Sequence, residues 1–199
     1  MIKQESGTLF VVTGPSGAGK GTVLGAVLPK LSRIHYSVSA TTRAPRTGEQ
    51  DGKNYYFLSR ANFEQMIADD RLLEYAEYVG NYYGTPCEPV DRALREGDDV
   101  VLEIEVQGAL QVKAKRPDAV LVFIIPPRFE MLRERLHGRG SESEEIIEKR
   151  MAVARAEYEC AEQYDYIVVN DTLETACDEL RSIITALRCK LARRTNFLR

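Results

Sequence analysis

"TLFVVTGPSGAGKGTVLGAVL" occupies residues 8–28, and its reading decides the fold. The run from Leu9 to Val12 is apolar on successive residues, which suits a strand buried on both faces of a parallel sheet. Glycines follow at 14, 17 and 19, and a helical pattern begins without a gap. Gly14 and Gly19 bracket Pro15, Ser16, Gly17 and Ala18, and Lys20 comes next, the pattern of a phosphate-binding loop. Glycine lets the backbone turn so that its N–H groups point at phosphate oxygens, and a helix N-terminus near Gly19–Thr22 adds its dipole. Lys20 reaches the β- and γ-phosphates as a point charge. The next position, where a hydroxyl for Mg2+ is usual, holds Gly21, and Thr22 comes one place late. The ion then depends on nucleotide phosphates, water, Thr22 or an acid such as Glu105. The motif is specific for nucleotide phosphates and says little about the reaction.

The chain has 199 residues, 44% of them apolar, enough for one compact domain with a sizeable core. A net charge of −3 argues against a non-specific nucleic-acid binder, while local arginine clusters remain able to bind phosphates. The four cysteines form no C-x-x-C pair, and the two histidines lie far apart. Reduced thiols in a cytoplasmic protein are expected. The N-terminus lacks an apolar signal region, and no run approaches the roughly 18 apolar residues that span a bilayer.

Further apolar runs at 100–104, 119–125 and 166–169, with "IHYSVSA" (34–40) as a fifth strand, alternate with helical stretches. Those stretches cover about 19–31, 106–116, 128–137, 144–163 and 172–194. The alternation predicts an α/β fold with helices on both faces of a parallel sheet. Two segments break it. Residues 43 to about 94 are polar and tyrosine-rich and read as an inserted subdomain, with Ser59 capping a helix that buries Phe63, Met66 and Ile67. "HGRGSESEE" (137–145) reads as a mobile loop entering a long helix.

Within the insert, Arg43 and Arg46 lie three apart beside a turn; they either converge on one phosphate or form a solvated basic turn. Glu74 sits in the apolar, aromatic stretch "RLLEYAEYVGNYYGTP". A carboxylate there would accept from guanine N1 and N2, a donor pair adenine lacks; an exposed helix glutamate is the alternative. "VVLEIEVQG" ends a strand with Glu103 and Glu105, whose period of two points both to one side. These acids would hold magnesium-bound water, position an acceptor or merely cap a helix. Arg135, Arg139 and Arg150 flank the second break and would close on phosphates in a transition state, or form ordinary helix salt bridges with nearby glutamates.

In this order the motifs "GPSGAGKGT", "SVSATTRAPRTGEQDGKNYYF", "GNYYGTP", "LEIEVQG", "GRGSESEE" and "VND" resemble guanylate kinase of the nucleoside-monophosphate kinase group, over about residues 7–190. The resemblance implies a three-layer P-loop fold: a five-stranded parallel sheet core (about 1–42, 95–136 and 146–199), a GMP-binding insert (about 43–94) and a lid (about 137–145). It implies that Gly14–Thr22 cradle the ATP phosphates and that Asn170 sits near the adenine. Ser39, Glu74 and Thr85 would read the guanine, Arg43, Arg46, Tyr55 and Tyr83 would hold the GMP phosphate, and Gly84, Glu103 and Glu105 would complete the GMP site. Lys20, Arg43, Arg135, Arg139 and Arg150 would be catalytic, with Thr22 contacting Mg2+. The chain departs from the family's common pattern at Gly21, where Ser is frequent, at Glu105, where Asp is common, and at Ala40, where Ser is frequent. The implied partners are ATP and GMP or dGMP, with no nucleic acid or membrane, in a monomer or homodimer. The rivals are a catalytically silent scaffold module of the same fold, disfavoured by the retained Lys20, and a kinase for AMP or a phosphorylated sugar.

Overall fold

The computed structural model describes residues 6–138 and 143–198. Five strands form the first sheet: β1 (Leu9–Thr13), β2 (Ile34–Tyr36), β7 (Asp99–Glu103), β8 (Val120–Ile125) and β9 (Tyr166–Val169). They pair in the order β2-β7-β1-β8-β9, and every pairing is parallel. The fold is the α/β, five-stranded parallel core expected. β1 is buried along its whole length, which explains its unbroken apolar run.

Helices cover both faces. On one, α1 (Lys20–Val27) and α7 (Leu173–Arg188) pack through Val23, Leu24, Ala176, Leu180 and Ile184 against Phe10, Val12, Val122 and Ile124. On the other, α3 (Cys87–Arg95) and α4 (Val106–Lys115) bury Val90, Ala109 and Val112 on Val11, Leu102 and Leu121. A third cluster joins α5 (Met131–His137) and α6 (Glu144–Glu159) to Ala18 through Leu132, Leu136 and Ile147. The α5–α6 pair thus packs on the strand-to-helix turn at Ala18.

The second sheet pairs in the order β4-β3-β6-β5, from β3 (Ala40–Thr41), β4 (Tyr56–Phe57), β5 (Leu72–Tyr78) and β6 (Asn81–Pro86). Between β4 and β5 lies α2 (Arg60–Ala68), whose N-cap Ser59 accepts from the Asn62 N–H at 3.2 Å, and Phe63 is fully buried beneath it. The β5–β6 register shifts between Leu72 and Tyr75, so Leu72, Leu73 and Glu74 are all buried where a regular strand would alternate.

Several elements are shorter than their sequence patterns. The run at 34–40 is strand only through Tyr36: Ser37 donates its N–H to Val101, and the chain then leaves for the second sheet at Ala40. β7 ends at Glu103, and Glu105 is the N-cap of α4, so the two acids do not share a strand. The helical patterns at 19–31 and 172–194 each end in a short 3-10 turn. All four cysteines are free thiols, and among the described residues no helix is long and apolar enough to cross a membrane.

Candidate active site

The turn after β1 leaves the C-terminal edge of the central strand, beside the switch in strand order between β7 and β8, where open parallel sheets bind ligands. Its glycines are obligatory. Gly14, Gly17 and Gly19 have φ of 146°, 90° and 90°, and a Cβ on Gly14 would meet the Ile124 carbonyl at 2.1 Å. Gly19 caps α1 without a side-chain bond, and no acid lies in the first turn, so the helix presents bare N–H groups and its positive pole. Lys20 lies back across the loop and donates from Nζ to the Gly14 carbonyl and, at 3.3 Å, to that of Pro15.

Residues far away in sequence hold this loop. Asn170 follows β9, is buried, and donates from Nδ2 to the Ala18 carbonyl at 2.7 Å. Arg135 of α5 donates from Nη2 to the Asn170 carbonyl at 2.8 Å and from Nη1 to that of Ala18 at 3.4 Å. Arg150 of α6 donates to Ser16 Oγ at 2.7 Å. Asn170, Arg135 and Arg150 therefore converge on the loop, whereas Arg139 lies outside the described residues.

The second sheet collects the other candidates from stretches spread over residues 39–85. Ser39 adjoins β3, and its carbonyl accepts from the Tyr56 N–H at 2.9 Å. Arg43 donates to Glu49 and to the Ala44 carbonyl and lies 5.4 Å from the Tyr55 ring centre. Tyr55 and Tyr83 meet edge to face at 6.0 Å. Arg46 begins the adjoining turn and is exposed.

Glu74 is only 6% exposed, and Thr85 Oγ1 donates to its Oε1 at 2.6 Å. It lies on the bulged part of β5, so it is neither helical nor exposed. Burial pushes the carboxyl up, and the hydrogen bonds from Thr85 pull it back. Two glycines make room for it: a Cβ on Gly108 of α4 would lie 2.8 Å from Oε2, and one on Gly84 would lie 2.7 Å from the Glu74 carbonyl.

Glu103 faces α1, since a Cβ on Gly21 would lie 3.8 Å from both of its carboxylate oxygens, and Tyr36 Oη donates to Oε2 at 2.8 Å. Glu105 is exposed at the start of α4. Thr22 is exposed in the first turn of α1. Among the described residues no group of three or more His, Cys, Asp or Glu could hold a metal by itself. That donor set suits Mg2+ held mainly by substrate phosphates and water, with a hydroxyl such as Thr22 and a nearby acid at its periphery.

Two acids of this region have no expectation behind them. Glu157 of α6 is 9% exposed and is pushed up to about 7, first by burial and then by the charge of Glu105, against the pull of Lys20. Its sequence signal was its spacing of seven from Arg150, two turns along one helix face. Glu49 joins Arg43 to the Arg46 backbone, a contact with no sequence signal beyond the turn around it.

The family profile described as guanylate kinase matches residues 6–187. A guanylate kinase of Desulfitobacterium hafniense (strain Y51) is 52% identical over 97% of the chain and 96% of its own length. One from Lactococcus lactis subsp. lactis (strain IL1403) is 55% identical over 92% and 89%. The crystal structure of guanylate kinase from Anaplasma phagocytophilum aligns with a TM-score of 0.74 at 34% identity, over 96% of the chain and 90% of that structure.

Proposed function

The chain belongs to the guanylate kinase family, whose general reaction is ATP-dependent phosphorylation of GMP, and from that premise we propose how its two sheets divide the work. The loop at 14–22 takes the ATP phosphates, and the second sheet takes GMP. One observation carries the acceptor assignment: a buried carboxylate, Glu74, with one oxygen held by Thr85 and the other beside Gly108. Guanine offers N1–H and N2–H together and satisfies such a group. Adenine turns an acceptor toward it and leaves the buried charge unpaired, at a cost of several kcal/mol by the general scale for such mismatches (about 10⁴-fold). Ser39 and Gly84 complete the nucleobase side, and Glu103 and Glu105 complete the acceptor site toward the phosphate loop. dGMP carries the same guanine and phosphate that these residues would hold, and is the second acceptor.

Arg43, Arg46, Tyr55 and Tyr83 hold the acceptor phosphate, and one of its oxygens attacks the γ-phosphorus of ATP in line. The bond to the β-γ bridging oxygen breaks, giving ADP and GDP without a covalent intermediate or a general base. Charge on the transferred group is spread over its equatorial oxygens, so positioned cations supply most of the acceleration. Lys20 moves from the Gly14 and Pro15 carbonyls to the phosphates, and Arg135, Arg139 and Arg150 bring further charge from the lid side. Asn170 shapes the loop beside the adenine. Bound at Thr22 and the phosphates, Mg2+ would neutralise the β- and γ-oxygens. Free thiols suit work in the reducing cytoplasm, in purine nucleotide metabolism.

A coupled assay offering GMP, dGMP, AMP, CMP and UMP with ATP and Mg2+ tests this reading. Turnover of GMP and dGMP alone is expected. Equal turnover of AMP would defeat the guanine assignment, and no turnover with any acceptor would favour a silent scaffold.

A further inference from the structure

We propose that Glu49 is the positioning residue of the acceptor-phosphate clamp, holding Arg43 and Arg46 ready for one phosphate. The inference rests on the reading that Arg43 and Arg46 bind that phosphate. Glu49 uses both carboxylate oxygens on Arg43 Nη2, at 2.8 and 3.0 Å, and the second also accepts from the Arg46 N–H at 2.7 Å. The turn closes on itself, because the Glu49 N–H donates to the Arg46 carbonyl at 3.0 Å. Both partners of the ion pair are largely covered, at 16% and 19% side-chain exposure. This separates it from the exposed pairs elsewhere on the surface, which contribute little.

Two arginines gathered for a phosphate repel each other while the site is empty. A carboxylate bonded to the Arg43 guanidinium and to the Arg46 N–H offsets that repulsion and fixes the plane of the Arg43 guanidinium. Arg43 also donates from Nη1 to the Ala44 carbonyl at 2.7 Å, and the rings of Tyr55 and Phe57 flank it at 5.4 and 5.8 Å. A guanidinium has five N–H donors, so a phosphate can be added on its remaining edge without expelling Glu49. The alternative is that Glu49 imitates the phosphate and competes with it. The two differ in sign: a positioning carboxylate strengthens GMP binding, and a competing one weakens it.

Glu49→Gln keeps the size and one acceptor while removing the charge. Steady-state kinetics with each substrate varied in turn should show KM for GMP raised about tenfold, with KM for ATP within about twofold and kcat little changed. In an Arg43→Gln background the same substitution should have almost no effect, since its action runs through Arg43. An unchanged thermal midpoint excludes loss of folding. KM for GMP that stays constant or falls overturns the inference, as does an equal rise in both KM values or an undiminished effect without Arg43. A wild-type protein that does not phosphorylate GMP sinks the functional reading instead, and calorimetric binding of GMP to both forms still decides the role of Glu49.

Discussion

Gly21 is the residue where this phosphate loop departs from the usual pattern, and its surroundings say what a side chain there would meet. Its φ is not left-handed, and a Cβ would stand 3.8 Å from both Glu103 oxygens, ordinary contact distance. Gly14 and Gly19 differ sharply, since a Cβ on either would collide with Ile124 or Asn170. Gly21→Ser should therefore be tolerated, with kcat within about twofold and stability equal or a few tenths of a kcal/mol higher from better helix propensity. Thr22→Val removes only the hydroxyl. We expect it to raise the Mg2+ concentration for half-maximal turnover roughly tenfold, with kcat recovered at saturating Mg2+. A Mg2+ titration of each variant measures this, and an unaltered Thr22→Val curve would move the protein contact to Glu103. At this scale the loop was legible because its chemistry is local. Glu74 was legible only as an oddity: the bulge that buries it lies within the β5–β6 hairpin but follows no period in the sequence, and Gly108, which leaves room for its carboxylate, comes from a helix some thirty residues away.

Among the elements, α6 carries the clearest coupling of packing to charge. Ile147, Met151 and Ala154 bury one face against the cluster that contains Ala18, while Arg150 and Glu157 extend that face to the phosphate loop. Glu157 is raised to about 7 by burial and by Glu105. The sign of its linkage is fixed. Below the unfolded value near 4.5 the group is protonated in both states and stability does not depend on it. As pH rises from 4.5 through 7, the unfolded chain releases the proton first, and the folded state loses stability. Glu157→Gln, isosteric with the protonated acid, should thus raise the thermal midpoint of the nucleotide-free protein at pH 8 and leave it unchanged at pH 4. Equal shifts at both values would mean that Glu157 is not held protonated by its surroundings. The long apolar runs of β1, β8 and β9 and the cap of α2 at Ser59 were legible because their patterns repeat within a few residues. β3 and β4 have two residues each and exist through partners from 16 to 44 positions away, Ala40 with Tyr56 and Gly84. No local period announces such strands, so the insert could be recognised as a break but not drawn.

Across the whole molecule, the parallel sheet separates the proposed binding residues from a buried ionic network by its two ends. The phosphate loop, Glu103 and Asn170 stand at the C-terminal ends of β1, β7 and β9. Asp99 stands at the opposite end of β7, 1% exposed, and ties four parts of the chain together. Its oxygens accept from the Thr8 N–H at 2.8 Å, Arg188 Nε at 2.7 Å and Arg193 Nη1 at 2.7 Å, while Arg188 also reaches the Ser32 carbonyl. The first strand, the loop before β2 and the C-terminal helix thereby share one buried carboxylate. Removing a buried ion's partner leaves the remaining charges uncompensated and costs about 3–5 kcal/mol. Asp99→Ala should therefore lower the urea midpoint substantially, with the slope of the transition unchanged. The proposed substrate contacts lie at the other end of strands that span roughly 3.3 Å per residue, and the intervening layer is close-packed. At a temperature where the variant is folded, KM for ATP and for GMP should match the wild type within about twofold. A rise in either KM without loss of stability would show that the foot of the sheet is coupled to the nucleotide sites. Retention of both stability and KM would show that the Asp99 network contributes little beyond what its neighbours' packing already supplies.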